Sequence, residues 1–445
     1  MTRVLAVDIG TSSARAQLYG DGAEPLGAPL ARLRHEVDAN GELPLEPIVS
    51  FVEKALAAAG EVDAVAWSTL WHSLVVLDER DHPLTAVSTW LDARASADAE
   101  ALARERDGSA VHARTGAPLH PSFWPAKLRR LRREGVRFAR IASLGDYLRL
   151  RVEGVLATSV SLASGTGLFD VHAQAWDRDS LRALELDEAA LPVVVDGGVW
   201  IGDGAAANVG AGCADGRPVV TVGTSSALRV VRRSARSDPG LFLYRLDRQR
   251  YVKGGALSDG GNLLVALGRL LGATVADALD REPGQVLLLP HLGGERSPGW
   301  RPGARGAIVG LSSTTSVDDI AQAAFEGIAY RLAHIWHLVR SSSSDWSSQT
   351  NSESTVDQVR ELVATGAALV SRPGWAQLMS DVLGLPVALA TTPEASARGA
   401  AMLALGLDGE PVALGRRFEP RPDRMEQHRE ARARLDALAY AISRD

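Results

Sequence analysis

Short apolar runs alternate along the 445-residue chain with longer segments that carry apolar residues at a helical period. Runs of apolar and β-branched residues predict strands at 63–68, 74–77, 193–195, 218–222, 286–290 and 387–390. A long helix is predicted from Ser316, a typical N-cap, with Asp318 and Asp319 in its first turn. Its apolar positions recur at threes and fours, at Ile320, Ala324, Ile328, Leu332, Ile335 and Val339. Further helices are predicted at 373–384 and 394–405, so the chain is expected to be mixed α/β.

One five-residue string occurs twice. Gly-Thr-Ser-Ser-Ala stands at 10–14 and again at 223–227, and the offset of 213 positions is close to half the chain length. An apolar run precedes each copy and an alternating or β-branched run follows it, which predicts a strand, a tight turn and a second strand in both places. Chance recurrence in a chain rich in Ala and Ser is the alternative, but the shared context favours an internal duplication.

The chemistry of this string suits phosphate groups. Glycine lets the backbone approach an anion closely, and the N–H groups of a tight turn can form an anion-binding concavity. Thr and Ser hydroxyls add donors with little bulk. An ordinary hairpin turn would explain one copy, whereas two such turns, one in each half, predict a polyphosphate held from both sides.

Composition limits the environment and the partners. The length predicts two or three domains, and no eighteen consecutive apolar residues occur that would span a bilayer. The N-terminus lacks a signal-peptide pattern and Cys213 has no second cysteine, so a cytoplasmic location is expected. The net charge is −6, and the Arg-rich stretch 129–140 is interpreted as a solvated helix face. No nucleic-acid or membrane partner is therefore expected, and a homodimer is left open.

Several other chemistries find little support. A Walker-type G-x-x-x-x-G-K-[ST] string and a G-x-S-x-G nucleophile elbow are both absent from the sequence. The segment 202–207 matches the relaxed dinucleotide pattern G-x-G-x-x-A, but the acidic residue expected about twenty positions later is missing.

The chain resembles the FGGY family of carbohydrate kinases, which includes gluconate, xylulose, ribulose and glycerol kinases. The resemblance covers residues 4–405 and rests on seven blocks in the family's order, at 8–13, 89–94, 202–205, 223–226, 294–298, 304–307 and 364–367. It implies two actin-like, ribonuclease-H-like α/β domains with a cleft between them, which we place at 1–232 and 233–445. It also implies ATP and Mg²⁺ as cofactors and a small sugar or sugar acid as substrate.

Details within the blocks are most similar to gluconate kinases, notably 202–205 with Asn208 and 223–227. Two positions depart from the family. Gly366-Ala367 replaces the usual Gly-Gly beside the expected adenosine site, and Trp71-His72 replaces the Met-His of xylulose kinases. D-gluconate is therefore the expected acceptor. Xylulose or another sugar or polyol, and a non-catalytic actin-like nucleotide-binding protein, remain the alternatives.

The resemblance also implies roles for single residues. Asp203 matches the catalytic base, with a helix N-cap as the alternative, because a hydroxyl nucleophile benefits from a carboxylate that accepts its proton. Asp8 matches the acid that orients Mg²⁺, with a turn-stabilising aspartate as the alternative. The implied nucleotide site comprises Thr11, Ser12, Ser13, Arg15, Gly223, Thr224, Ser225, Gly310, Gly366 and Ala367.

The implied substrate site comprises Trp71, His72, Trp90, Asp92, Arg94 and Asp203. Each Trp taken alone is more often a core residue. Arg94, Lys127 and Arg296 are candidates for a contact with a sugar-acid carboxylate, since a guanidinium binds such a group bidentately. The Ser-rich segment 341–355 is predicted to be a polar insertion in the second domain and is given no function.

Overall fold

The computed structural model describes residues 2–196, 198–213, 217–275, 277–278, 280–341, 359–392, 394–410 and 412–442. Its strands are β1 (Val4–Ile9), β2 (Ser13–Tyr19), β3 (Ala31–Arg34), β4 (Glu42–Leu43), β5 (Ala64–Thr69), β6 (Val75–Leu77), β7 (Val87–Ser88), β8 (Arg140–Ala142), β9 (Ala157–Thr158), β10 (Phe169–Asp170), β11 (Ala175–Trp176), β12 (Val193–Val194), β13 (Val199–Gly202), β14 (Val219–Val222), β15 (Ser226–Arg232), β16 (Phe242–Arg245), β17 (Tyr251–Leu257), β18 (Leu287–Leu289), β19 (Ala307–Val309), β20 (Leu362–Thr365), β21 (Val387–Ala390) and β22 (Leu414–Phe418).

The α-helices are α1 (Leu45–Ala59), α2 (Ser96–Glu105), α3 (Gly108–Thr115), α4 (Trp124–Arg133), α5 (Leu144–Glu153), α6 (Val160–Ser164), α7 (Arg178–Ala183), α8 (Asp203–Gly210), α9 (Gly261–Leu271), α10 (Val317–Ser341), α11 (Ala367–Val370), α12 (Pro373–Leu383), α13 (Ala395–Leu405) and α14 (Pro422–Ile442). A short 3-10 helix covers Glu188–Ala190.

Two sheets form the centres of the two halves, and they share one strand order. The first sheet has the order β3-β2-β1-β5-β13, with β1, β2 and β3 antiparallel and β5 and β13 parallel to β1. The second has the order β16-β17-β15-β14-β20-β21-β22, and its five strands from β17 to β21 repeat those directions. Because order and direction both repeat, the fold supports the internal duplication predicted from the five-residue string.

Both copies of the string are turns between antiparallel strands, as predicted. In the first hairpin Ile9 pairs with Ala14, and in the second Val222 pairs with Ser226. Each of the other predicted strand runs also overlaps a strand, namely β5, β6, β12, β18 and β21. The runs of apolar and β-branched residues were therefore sufficient to place these strands.

The three predicted helices are confirmed as α10, α12 and α13. Ser316 caps α10 as expected: its hydroxyl accepts from the N–H of Asp319 at 3.3 Å, and the Asp319 carboxylate accepts from the N–H of Ser316 at 2.8 Å. The apolar stripe of α10 is buried against the second sheet from Ile328 to Val339. Helix α12 begins at Pro373 and ends before Gly384, whose φ of 65° closes the helix.

Helix α13 lies against the first sheet, although its residue numbers fall in the second predicted domain. It packs along α8 and over β1 and β5. Two glycines permit the close crossing of α8 and α13, since an added Cβ on Gly210 would overlap the carbonyl of Ala395, and one on Gly399 would overlap that of Ala206. The chain after β21 thus returns to the first half and joins the two halves a second time.

The interpretation of 129–140 as a solvated helix face was wrong in part. Helix α4 ends at Arg133, and Arg130 is buried with its guanidinium 3.5 Å from Asp92. The Ser-rich segment 341–355 lies outside the described residues except for Ser341, the last residue of α10. In the described part of the chain, no helix is long and apolar enough to cross a membrane.

Candidate active site

Asp203 stands where β13 ends and α8 begins. Its Oδ1 accepts hydrogen bonds from the backbone N–H of Gly204 at 2.8 Å and of Trp71 at 3.3 Å. The flanking glycines have a packing reason, because a Cβ on Gly202 would overlap the indole of Trp71, and one on Gly204 would lie 2.9 Å from that ring. Gly202 takes the N-cap position, so Asp203 is the first helical residue rather than the cap. The Gly-Asp-Gly block therefore presents one fixed carboxylate from a helix N-terminus.

The surroundings of Asp203 suit proton transfer. Burial raises the pKa of the Asp203 carboxyl, while the Trp71 N–H, the charge of Arg229, the Gly204 N–H and the charge of Arg296 hold that rise back. A general base works best when its pKa lies near the working pH. A carboxylate with a raised pKa and one oxygen fixed by two N–H groups can accept a proton on its other oxygen.

Asp8 lies in β1, the strand that leads into the first turn. Its Oδ1 accepts from the hydroxyl of Ser68 at 2.7 Å, and the side chain is 8% exposed. Burial raises its pKa to about 7, the Ser68 hydrogen bond opposes this, and the nearby charge of Asp203 adds to it. A nearby cation would stabilise the ionised form of such a carboxyl.

The residues here fit Mg²⁺ held mainly through water and phosphate. Within the described ranges no three His, Cys, Asp or Glu side chains form a ready-made metal cluster. Mg²⁺ usually keeps several waters and uses one or two carboxylates together with substrate phosphates. Asp8, with one oxygen not engaged by Ser68, matches that mode.

The first turn is closed by backbone hydrogen bonds around Gly10. The N–H of Gly10 donates to the carbonyl of Ser13 at 2.9 Å, and the Nε2 of His35 contacts the carbonyl of Gly10 at 2.8 Å. The Trp90 indole N–H donates to the hydroxyl of Thr11 at 3.0 Å, while Ser12 is exposed. The predicted sugar segment at Trp90 and the predicted phosphate loop at Thr11 are therefore in direct contact. Outside the turn, Arg15 forms an ion pair with Glu394.

The second turn is held by the N-terminus of α9. The N–H of Gly261 donates to the carbonyl of Gly223 at 2.7 Å, and that of Asn262 donates to the carbonyl of Thr224 at 3.2 Å. Gly366, at the end of the neighbouring strand β20, has a φ of 93°, and an added Cβ there would overlap the backbone of Val222. The turn at 223–225, the start of α9 and the end of β20 thus meet at one edge of the second sheet, where parallel strands end and ligands commonly bind.

Two other predicted nucleotide residues have different surroundings. Ala367 follows Gly366 and is exposed. Gly310 follows β19 with a φ of 91°, and an added Cβ would lie 2.6 Å from the carbonyl oxygen of Gln285. The local backbone conformation is therefore sufficient to explain Gly310, without a nucleotide.

Trp71 and Asp92, two of the predicted substrate residues, have partners inside the protein. Trp71 is 5% exposed, and its indole N–H donates to the carbonyl of Ser161 at 2.8 Å, so its ring supports the Asp203 block from behind. Asp92 is fully buried and accepts from Arg94 at 2.7 and 2.8 Å and from Ser88 at 2.8 Å. Burial favours a higher pKa for Asp92, but the Arg94 hydrogen bond, the other cations and Ser88 bring the pKa below its usual value. Asp92 therefore binds Arg94, and its predicted sugar contact stays a prediction.

Lys127 is also buried rather than free for a substrate. Its ammonium donates to the carbonyls of Thr89 at 2.7 Å and His72 at 2.9 Å, and burial lowers its pKa to about 7. Arg94 is partly exposed but bound to both Asp92 and Glu42. Of the two arginine candidates for a carboxylate contact, Arg296 is the one without a salt bridge within the described part of the chain.

Three predicted or candidate residues come together beside Asp203. Arg296 is 6% exposed; its Nη2 lies 3.3 Å from His72 Nε2, and its guanidinium stacks 5.1 Å from the Trp90 ring centre. Burial lowers the pKa of His72 well below its usual value, and the positive charge of Arg296 lowers it further. This imidazole is therefore neutral. His72 Nδ1 lies 2.6 Å from the carbonyl of Gly165, which fixes the ring. Its φ of 64° is unusual for a residue other than glycine and is typical of functional sites.

Sequence reasoning missed two residues of this group, Arg229 and Tyr244. Both are within electrostatic reach of Arg296, and Arg229 is within reach of Asp203. One signal for Arg229 was present, because it is a single charged residue in the otherwise apolar run 227–231 that follows the second turn. No comparable pattern distinguishes Tyr244.

Two family models match the chain in succession. The N-terminal domain of the FGGY family of carbohydrate kinases matches residues 3–230, and the C-terminal domain of that family matches residues 219–406. Together they cover both turns, Asp8, Asp203 and Arg296.

Individual similar proteins differ in substrate. The chain is 26% identical to the gluconokinase of Bacillus subtilis (strain 168), over 92% of this chain and 88% of that protein. It is 30% identical to the xylulose kinase of Streptomyces rubiginosus, over 99% and 96% of the respective chains. The crystal structure of a ligand-bound xylulose kinase from Lactobacillus acidophilus superposes with a TM-score of 0.86 at 22% identity, covering 100% of this chain and 99% of that one. This last similarity shows the fold alone.

Proposed function

This chain belongs to the FGGY family of carbohydrate kinases, which are ATP-dependent phosphotransferases with an alcohol group as acceptor, and we propose that its acceptor is D-gluconate, phosphorylated at the C6 hydroxyl. The family match establishes a sugar kinase with two actin-like domains. The similar proteins include gluconokinase and xylulose kinase, so the choice of gluconate rests on the chemistry of the site.

The observation that carries the proposal is the buried guanidinium of Arg296 near the carboxylate of Asp203. Arg296 has no salt bridge within the described residues, and Asp203 and Arg296 each favour the charged form of the other. With a neutral sugar, Asp203 would be the carboxylate that offsets this buried charge, and a buried charge that is poorly compensated is costly. A sugar acid brings its own carboxylate to Arg296.

In the proposed mechanism, the backbone N–H groups and hydroxyls of the turns at 10–13 and 223–226 bind the ATP phosphates, with Arg15, Gly366 and Ala367 nearby. Asp8 would hold Mg²⁺, and this ion, when bound, neutralises charge on the phosphates. Asp203 accepts the proton of the acceptor hydroxyl as the hydroxyl oxygen attacks the γ-phosphorus, the bond from that phosphorus to the bridging oxygen breaks, and ADP leaves. His72 and Trp90 position the acceptor together with Arg296. The division into domains at 1–232 and 233–445 belongs to the same proposal, with the first phosphate loop in the first domain and the rest of the nucleotide site, apart from the turn at 223–225, in the second.

A coupled ADP-release assay on D-gluconate, D-xylulose and glycerol tests the proposal. We expect kcat/KM to be highest for D-gluconate. If D-xylulose or glycerol exceeds D-gluconate by tenfold or more, the gluconate assignment is wrong and the kinase assignment stands. The 30% identity to a xylulose kinase makes D-xylulose the second candidate.

A further inference from the structure

We infer that Arg229 and Tyr244 form, together with Arg296, an anion subsite that binds the substrate carboxylate and so restricts this kinase to sugar acids. The inference rests on the proposed function and deepens it. It assigns substrate contacts to two residues that lie on strands of the second sheet, β15 and β16.

Strand periodicity directs Arg229 towards the first half of the molecule. Residues of β15 alternate between two faces. Ala227 and Val231 pack into the hydrophobic cluster that includes the first sheet, whereas Leu228 and Val230 pack into the cluster of the second half. Arg229 belongs to the row of Ala227 and Val231. Arg229 therefore extends towards the Gly-Asp-Gly block at 202–204, where a Cβ added to Gly204 would lie 2.9 Å from the Nη2 of Arg229.

The three side chains offer buried hydrogen-bond donors that are not used. The Nε of Arg229, the Nε of Arg296 and the hydroxyl of Tyr244 are each fully buried and lack a hydrogen-bond partner among the described residues. Tyr244 is 1% exposed and Arg296 is 6% exposed. Buried donors are satisfied in the great majority of cases, so three in one place indicate a missing acceptor.

The charges around the subsite favour an anionic ligand. Glu295, adjacent in sequence to Arg296, forms ion pairs with Arg301 and Arg331 instead. Neither Arg229 nor Arg296 has a salt bridge in the parts of the chain that the structure describes, and the carboxylate within electrostatic reach of both is Asp203. His72 is neutral, so two guanidiniums face one carboxylate before substrate binds. A substrate carboxylate would balance the charge and supply acceptors for all three donors.

The γ-phosphoryl group of ATP is the other anion within this active site, and the experiment must separate the two. Arg229→Gln keeps the length of the side chain and removes its charge, while Tyr244→Phe removes only the hydroxyl. Tyr147→Phe is the matched control, since Tyr147 is equally buried but lies on α5. Kinetics are measured on D-gluconate and on D-glucitol, which has the same carbon chain with CH₂OH in place of the carboxylate. The assays are run at several pH values, because removing Arg229 takes away a charge that opposes the rise in the pKa of Asp203.

For Arg229→Gln we expect kcat/KM on D-gluconate to fall by about 100-fold, the scale of a lost buried charge pair, through KM. On D-glucitol, which has no carboxylate, the fall in kcat/KM should be smaller by about tenfold or more, and the KM for ATP should change by less than about twofold. For Tyr244→Phe we expect kcat/KM on D-gluconate to fall by about tenfold, the scale of one lost hydrogen bond to a charged group. Arg229→Lys, which keeps the positive charge, should recover part of the loss caused by Arg229→Gln. Calorimetric titration of Arg229→Gln with D-gluconate should show a rise in Kd that matches the rise in KM, without turnover.

Equal losses on D-gluconate and D-glucitol would overturn the inference, as would a selective rise in the KM for ATP, which would assign Arg229 to the phosphoryl group. The wild-type substrate ranking separately decides the proposed function. If wild type prefers D-gluconate while Arg229→Gln keeps that preference, the function stands and the subsite is wrong. If wild type binds neither D-gluconate nor another aldonate in calorimetry, both fail.

Discussion

The two copies of Gly-Thr-Ser-Ser-Ala have the same strand-turn-strand backbone but different surroundings. Two residues before the first turn stands Asp8, and the corresponding position before the second turn is Thr221. The first turn contacts side chains, namely His35 at Gly10 and Trp90 at Thr11. The second is held by backbone hydrogen bonds from the start of α9.

This difference shows that the two halves of a duplicated fold carry different functional groups. The first half keeps the carboxylates, with Asp8 beside its turn and Asp203 at the end of the same sheet. The second half keeps a turn backed by a helix N-terminus, an environment that favours negative charge. Under the proposed function, metal and proton chemistry therefore belong to the first half, and phosphate binding belongs to both turns.

The largest effect is expected at Asp203, which follows β13 at the end of the first sheet. In Asp203→Asn the remaining carbonyl oxygen can still accept both backbone N–H hydrogen bonds. The group that accepts the proton is lost, so kcat should fall by about 10²–10⁴-fold. ATP affinity, measured by calorimetry, should change little. Near-normal turnover on the best substrate would show that Asp203 is not the base.

Asp8 and Thr221 test the comparison as a matched pair. Asp8→Asn removes the charge beside the first turn, and the Mg²⁺ concentration for half-maximal activity should rise by about 10–100-fold, the scale for a ligand acting through water. Thr221→Val changes the matching position of the second turn and should leave the Mg²⁺ dependence unchanged. If both variants shift it equally, the division between the turns is wrong.

Gly10→Ala and Gly223→Ala test whether both turns bind the phosphates of ATP. An added Cβ at Gly223 meets nothing within 4 Å, and at Gly10 it lies 3.6 Å from the carbonyl oxygen of Ser13, so both variants should fold. Each methyl would keep phosphate from the turn and raise the KM for ATP by about tenfold, as for one lost hydrogen bond to a charged group. An effect at one turn alone would contradict a two-sided clamp.

The smallest effect concerns the buried carboxyl of Asp259, whose backbone carbonyl accepts from Ser226 beside the second turn at 2.7 Å. Burial raises its pKa to about 7, whereas an unfolded aspartate has a pKa near 4. Between these values the folded protein keeps a proton that the unfolded chain has released, so this group lowers the free energy of unfolding as the pH rises from 4 to 7.

Asp259→Asn removes that pH dependence. We expect the variant to gain stability over wild type, by about 1–3 kcal/mol more at pH 8 than at pH 5. Denaturant unfolding at the two pH values measures the difference. A gain that is the same at both would show that Asp259 is ionised in the folded protein already at pH 5.

Elements defined by local pattern were predicted correctly, and residues defined by distant neighbours were not. The two hairpins and helices α10, α12 and α13 follow from periodicity, from capping by Ser316, and from the termination signals Pro373 and Gly384. The packing of α13 on the first sheet could not be predicted, because it depends on the close approach of Gly399 to α8.

The same reason explains why side chains predicted at the site have partners that the sequence did not indicate. Asp92 and Lys127 are polar residues in segments that the family uses for sugar contacts, but their side chains bind Arg94 and backbone carbonyls inside the protein. Arg229 and Tyr244 approach Arg296 from strands of the second sheet, and these three residues come together only in the folded chain. The glycines on either side of Asp203 have a local packing reason, the ring of Trp71, while the catalytic role of Asp203 stays a prediction.

A crystal structure of the ternary complex with Mg²⁺, a non-hydrolysable ATP analogue and D-gluconate tests the account most directly. The account predicts nucleotide phosphates in contact with the turns at both Gly10 and Gly223, Mg²⁺ beside Asp8, and the C6 hydroxyl within hydrogen-bond distance of Asp203. Phosphates held by one turn only, or a C6 hydroxyl directed away from Asp203, would contradict it.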